Sequence, residues 1–218
     1  MNRLIYSGHM HDPVAMGGTA GEVPGSPAWL TDVERERAAR FVRDADRVAF
    51  VAAHLLVRHC AAAFLGLPPE KVTLLQHCDV HGPGHGRPYL EQAPDLGVSL
   101  SHTRGYVCAA VGRGRVGVDA ERVPAGPLDG GLAAQALTAR ERALVTDNAG
   151  LIRLWARKEA LVKRGELTLD RLREVDLSGL GDGPRFEWQG RHFLEWTAPD
   201  DVLVTIVTDC PATRVTVG

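Results

Sequence analysis

Apolar positions change their spacing several times along the chain, and the changes mark its elements. From Asp44 onward, Val48, Phe50, Val51, Leu55, Leu56, Cys60 and Phe64 recur at helical intervals until Gly66 and Pro68-Pro69 stop the run. This predicts the core helix of the first half. A charged helix is predicted before it, over residues 31 to about 42, because Thr31-Asp32-Val33-Glu34 has capping-box spacing. Thr138-Ala139-Arg140-Glu141 repeats that spacing, and beyond Gly150 a second long helix is expected over residues 151 to about 163. Elsewhere the pattern is β-like. It predicts strands at residues 72–75, 98–101 and 106–111, through Asp119 and Glu121, and in the tail at 185–189, 192–196 and 202–208. Residues 16–27 hold four glycines and two prolines and read as a flexible or extended lead-in.

Helix then strands, twice over, implies an α+β chain: a lead-in (1–28) and two halves (29–112 and 113–218). Each half would pack a helix on a small antiparallel sheet. The halves are pseudo-symmetric by element order alone, with no residue-level repeat, and a groove between them is a preferred ligand site. With 25 basic and 27 acidic residues and a pI near 6.5, no bulk field recommends nucleic acid or membrane. No apolar run approaches the roughly 20 residues of a membrane span, and no signal-peptide series is visible. Four cysteines lie scattered without CxxC pairs; Cys60 and Cys108 sit in apolar runs and are expected as buried free thiols, which suits a reducing cytoplasm.

Candidate chemistry gathers in two distant segments. Asp119 and Glu121 are two apart in a β-like stretch, so on a strand both carboxylates point to one face. Glu159 and Lys163 are four apart in a helical stretch and share a face with Trp155. Brought together, they would offer hard oxygen ligands to magnesium or manganese and an ammonium to a phosphate. The rival reading is an ordinary surface ion pair between Glu159 and Lys163.

Three other patterns lead less far. Gly112-Arg113-Gly114-Arg115-Val116-Gly117 fits G-x-G-x-x-G, but a β-like run follows where a dinucleotide fingerprint needs a helix, so a hairpin turn is expected. His77-Cys78, His81 and His85 have spacing that could clamp zinc, yet Gly82-Pro83-Gly84 makes a loop there. Ser101 and His102 are adjacent on a strand and point to opposite faces, which suits anion donors better than a nucleophile–base pair.

Read in order, Arg40-Phe41, Asp46-Arg47, Leu55-Leu56-Val57-Arg58, His85-Gly86-Arg87-Pro88, Ser99-Leu100-Ser101-His102-Thr103, Gly117-Val118-Asp119-Ala120-Glu121 and Leu154-Trp155-Ala156-Arg157-Lys158-Glu159-Ala160-Leu161-Val162-Lys163 form a specific series. Over roughly residues 29–176 the chain resembles the 4'-phosphopantetheinyl transferases, of the larger, monomeric surfactin-synthetase-activating type. The resemblance implies that the phosphopantetheine of coenzyme A moves to a serine of an apo acyl or peptidyl carrier protein, releasing adenosine 3',5'-bisphosphate. It implies magnesium on Asp119, Glu121 and Glu159, with manganese as the substitute. Arg47, Arg87, Ser101 and His102 would bind the adenosine-side phosphates, and Lys163 the reacting phosphate. Glu159 is the expected base for the carrier serine, ahead of Asp119. Arg35 and Arg37 lie near enough to reach a phosphate but read as solvated helix charges, while Arg58, Trp155 and Pro88 read as structural.

The chain departs from the family's pattern in Arg87, where many relatives carry lysine, and in the compressed Arg164-Gly165-Glu166-Leu167 after the second helix. Residues 128–137 are placed by resemblance to meet the carrier, against an equal reading as a segment packed on its own half. Two other classes compete: a metal-dependent nuclease, disfavoured by the lack of a basic track, and a non-catalytic coenzyme A or carrier-protein binder.

Overall fold

The computed structural model describes residues 12–80 and 82–217. The first half holds β1 (Val14–Thr19), α1 (Asp32–Ala39), α2 (Asp44–Leu65), β2 (Leu74–Cys78), β3 (Gly82–Leu90), β4 (Leu96–Thr103) and β5 (Tyr106–Arg113). The second holds β6 (Gly117–Arg122), α3 (Gly130–Ala136), α4 (Ala139–Leu144), α5 (Asn148–Arg164), β7 (Arg185–Trp188), β8 (Arg191–Ala198), β9 (Val202–Thr208) and β10 (Thr213–Arg214). One four-stranded sheet has the order β10-β1-β5-β4, the other β6-β9-β8-β7, and β2 and β3 form a separate hairpin. The fold is thus the expected α+β arrangement. The buried face of α2 meets one sheet through Ala53, Leu56, Val57 and Cys60 against Val107, Ala109 and Val111. In the second half Leu151, Leu161, Phe193 and Val207 share a core cluster.

Each half repeats one device. Thr31 and Thr138 make reciprocal capping boxes with Glu34 and Glu141, as their spacing predicts. Both glutamates also reach past the cap to a buried cation on the long helix. Glu34 takes Arg58 at 2.6 and 3.0 Å, and Glu141 takes Lys158 at 2.6 Å. Arg58 is accordingly structural.

Several expectations are corrected. Residues 14–19, expected in a flexible or extended lead-in, are built into a sheet as β1, antiparallel to β5 and parallel to β10. Residues 1–11 of that lead-in lie outside those described. Most of the histidine-rich loop is the β2–β3 hairpin, with a register shift at Gln76/His77; there His77 Nε2 stands 3.8 Å from Asp79, and His81 of the zinc spacing is not among the described residues. The glycines at 112–117 make no hairpin, since β5 and β6 belong to different sheets. The last strand, β10, returns to the first half's sheet, so the boundary after residue 112 is crossed twice. By length and apolar composition α2 does match a membrane span, but 67% of that window is buried inside the protein, as in a core helix. Cys60 and Cys108 are buried free thiols, as expected.

The two sheets abut along their edge strands β4 and β6. There the Val118 N–H donates to Ser99 Oγ at 3.0 Å, a side-chain stitch in place of a backbone ladder. This seam carries the site described below.

On α2, His54 bonds through Nδ1 to the Phe50 carbonyl at 2.8 Å and packs on the Phe50 ring. Burial pushes its pKa down to about 4, so it stays neutral in the folded protein where the unfolded imidazole has already taken a proton. The associated stability is complete above about pH 6.5 and falls away as the pH drops toward about 4. At about pH 4.5 this group should cost about 2 kcal/mol. Urea titrations at neutral and acid pH check this: wild type should lose that much more than His54→Gln, and equal losses would refute the assignment.

Candidate functional site

Alternation along β6 sets the first part of the site. Val118 and Ala120 are fully buried on one face among the core residues of β8 and β9. Gly117, Asp119 and Glu121 occupy the other face, toward α5 and the seam. A Cβ at Gly117 would overlap the carbonyl oxygen of Ala160, so only glycine lets α5 lie this close. The helix is capped at its start by Asp147, whose side chain accepts from Gly150 N, and ends on Gly165 at φ 77°. It begins one turn earlier than the apolar spacing suggests because Asp147 supplies the cap.

Across the seam, Lys163 Nζ donates to Asp119 Oδ1 at 2.8 Å and to Ser101 Oγ at 2.7 Å, while Ser101 Oγ donates to Asp119 Oδ1 at 3.0 Å. The lysine therefore pairs with a buried carboxylate from another element and not with Glu159 four residues before it. Ser101, expected on the adenosine-side phosphates, hydrogen-bonds within this pair and also lines the cleft beside it. Burial first, and then the charge of Asp119, pushes both Glu121 and Glu159 above the usual carboxylate range. Trp155 Nε1 donates to Glu121 Oε1 at 3.4 Å and opposes that shift.

Asp119 Oδ2 is buried without a hydrogen-bond partner. An orphaned carboxylate oxygen beside two further acids calls for a cation. The donor set fits a hard divalent ion, and Oδ2 is the atom such an ion would satisfy. Among the described residues no group of three His, Cys, Asp or Glu side chains stands ready-made as a metal cage. The carboxylates thus supply part of a shell, and ligand oxygens and water complete it, as magnesium commonly requires.

Beside this cluster lies a cleft of about 430 Å³ lined by Arg37, His54, Arg87, His102, Glu121 and Lys163. His102 is exposed where Ser101 is buried, as alternation requires, and it also lines a second cavity with Arg43 and Arg104. Although part of the ring faces solvent, desolvation by the elements packed around it, then the charges of Lys163 and Arg37, lower the His102 pKa and favour the neutral ring. Arg37 donates to the Gly84 carbonyl at 2.8 Å and stands over the Phe50 ring. Arg47 is not brought here: it pairs with Asp44 at 2.8 Å and lines a separate, mostly apolar cavity with Arg35. Residues two apart on a helix point in nearly opposite directions, so Arg35 and Arg37 cannot both face the cleft. His54 is a lining residue that the sequence reading missed, hidden in an apolar helix stretch.

Residues 115–200 match the model of the 4'-phosphopantetheinyl transferase superfamily. The resemblance carried by the sequence motifs holds at this level. A 4'-phosphopantetheinyl transferase of Bacillus subtilis is 28% identical over 126 residues, covering 57% of this chain and 51% of that protein. The 4'-phosphopantetheinyl transferase psf-1 of Bacillus pumilus is 29% identical over 130 residues, 57% of this chain and 52% of its own. The matched stretch thus spans about half the length of these curated relatives. Asp119, Glu121, Glu159 and Lys163 all fall within the superfamily match, whereas Arg37, Arg87, Ser101 and His102 precede it. Of residues 128–137, Ala133, Ala136 and Leu137 are buried in the second half's own core, with Leu128 and Leu132 packed against them. The apolar side of that segment is therefore already occupied.

Proposed function

We propose that this chain transfers the 4'-phosphopantetheine of coenzyme A to a serine of an apo acyl or peptidyl carrier protein. The observation that carries the reading is the seam cluster, in which Asp119 and Lys163 bond within the mutual field of Glu121 and Glu159, beside a cleft lined by Arg37 and Arg87. The superfamily match over the same four residues supports it.

Phosphoryl transfer is mainly positioning and charge neutralisation, and these side chains divide that work. Arg37 and Arg87 would take the adenosine-side phosphates, Arg87 as a planar fork. Neutral His102 adds a hydrogen bond. Lys163 would exchange its contact with Ser101 for the reacting phosphate. Asp119, Glu121 and Glu159 would hold magnesium or manganese, which when bound polarises the diphosphate oxygens and stabilises the leaving group. The carrier serine Oγ forms a bond to the pantetheine-side phosphorus, and its proton passes to Glu159 directly or through one water. The bond from that phosphorus to the bridging oxygen breaks, and its electron pair departs with adenosine 3',5'-bisphosphate.

The test is to incubate the chain with coenzyme A, magnesium and apo carrier proteins of several kinds, and weigh the carriers by mass spectrometry. Gain of one phosphopantetheine, suppressed by EDTA, is the expected result. No gain on any carrier would overturn the proposal.

A further inference from the structure

The two long helices end alike, but their ends are differently occupied. Helix α2 stops at Gly66 (φ 69°) and α5 at Gly165 (φ 77°), both in the left-handed region where a side chain is strained. A Cβ on Gly66 would meet nothing within 4 Å, whereas one on Gly165 would overlap the guanidinium of Arg87. Arg87 comes from β3 in the first half and reaches across to the helix end that carries Lys163. A helix C-terminus is the negative pole of its dipole, so a guanidinium is favourably seated there. Arg87 and Lys163 line the same cleft.

We propose that Gly165 is a positioning residue: the space left by its missing side chain is the seat of Arg87 and holds that guanidinium beside Lys163, so that both cations address one anionic ligand. The seat itself stands on geometry alone, while its consequence for the ligand rests on the coenzyme A reading above. Two demands meet at this glycine, backbone conformation and clearance. Gly66 separates them, because a side chain there incurs the same kind of backbone strain with open space around it. A glycine required only as a helix cap would make the two positions equivalent.

Four full-length variants test this: Gly66→Ala, Gly165→Ala, Arg87→Ala and the double variant Gly165→Ala/Arg87→Ala. Without ligand, Gly165→Ala should melt roughly 3 °C below Gly66→Ala, and the excess should vanish once Arg87 is shortened. A Gly165→Ala midpoint equal to that of Gly66→Ala, or an excess that survives in the double variant, would overturn the seat. With coenzyme A as probe, Gly165→Ala should raise Kd and KM about tenfold with a much smaller change in kcat, while Gly66→Ala leaves all three near wild type. Unchanged coenzyme A affinity in Gly165→Ala would overturn the positioning role. Failure of wild type to bind coenzyme A would count against the proposed function alone, and the melting comparison would still decide the seat.

Discussion

Glu159→Gln should leave the protein folded and lower phosphopantetheine transfer by about 10²- to 10⁴-fold. The amide keeps the shape of the side chain but removes its capacity to accept the serine proton and its charge toward a bound divalent ion. Glu159 is half-buried in the field of Asp119, so a neutral group in its place relieves repulsion and does not threaten the fold. Coenzyme A affinity, measured by calorimetry, should change far less than kcat measured with an apo carrier. A variant that kept near-normal turnover would remove Glu159 as the base and leave Asp119 as the next candidate.

The largest effect on stability is expected at Glu141. Its Oε2 accepts from Thr138 N at 2.7 Å and from Lys158 at 2.6 Å, and its Oε1 accepts from Leu177 N at 2.8 Å. Both Glu141 and Lys158 are 0% exposed. Burial pushes the lysine's pKa down and the bond to Glu141 pulls it back. Glu141→Ala therefore strands a buried ammonium whose remaining partners are the carbonyls of Ala136 and Leu172. Breaking such a pair should cost about 3–5 kcal/mol, seen as a shift of the urea midpoint at unchanged slope. Removing both charges in Glu141→Met/Lys158→Met should recover much of the loss, since the penalty belongs to the unpaired charge. A single-variant loss under about 1 kcal/mol would show that the ammonium finds compensation elsewhere.

What the sequence revealed and what it hid follow from where each signal resides. The long helices and the two acids on one face of β6 were legible because periodicity and alternation are written in the side chains themselves. The strands β1 and β3 were not, since Gly17-Gly18 and Gly82, Gly84 and Gly86 have no side chains to alternate. Both capping boxes were visible at Thr31 and Thr138, but their second task was not, because Arg58 and Lys158 lie 24 and 17 residues beyond their glutamates. Motif order favoured Arg47 for the phosphates. The rotation of α1 and α2 about their own axes favours Arg37, and that rotation is a tertiary quantity. The triangle of Ser101, Asp119 and Lys163 likewise exists only where two sheet edges meet.

Pairing of β10 with β1 places the last described strand beside the first. The first half's sheet is thus completed by a strand that follows the whole of the second half. A fragment confined to residues 115–200 would contain the four cluster residues but lose β9, and with it both the partner of β6 and the support of β8. The stretch that matches the superfamily model thus holds the cluster's carboxylates and lysine, whereas folding draws on strands from beyond it on both sides.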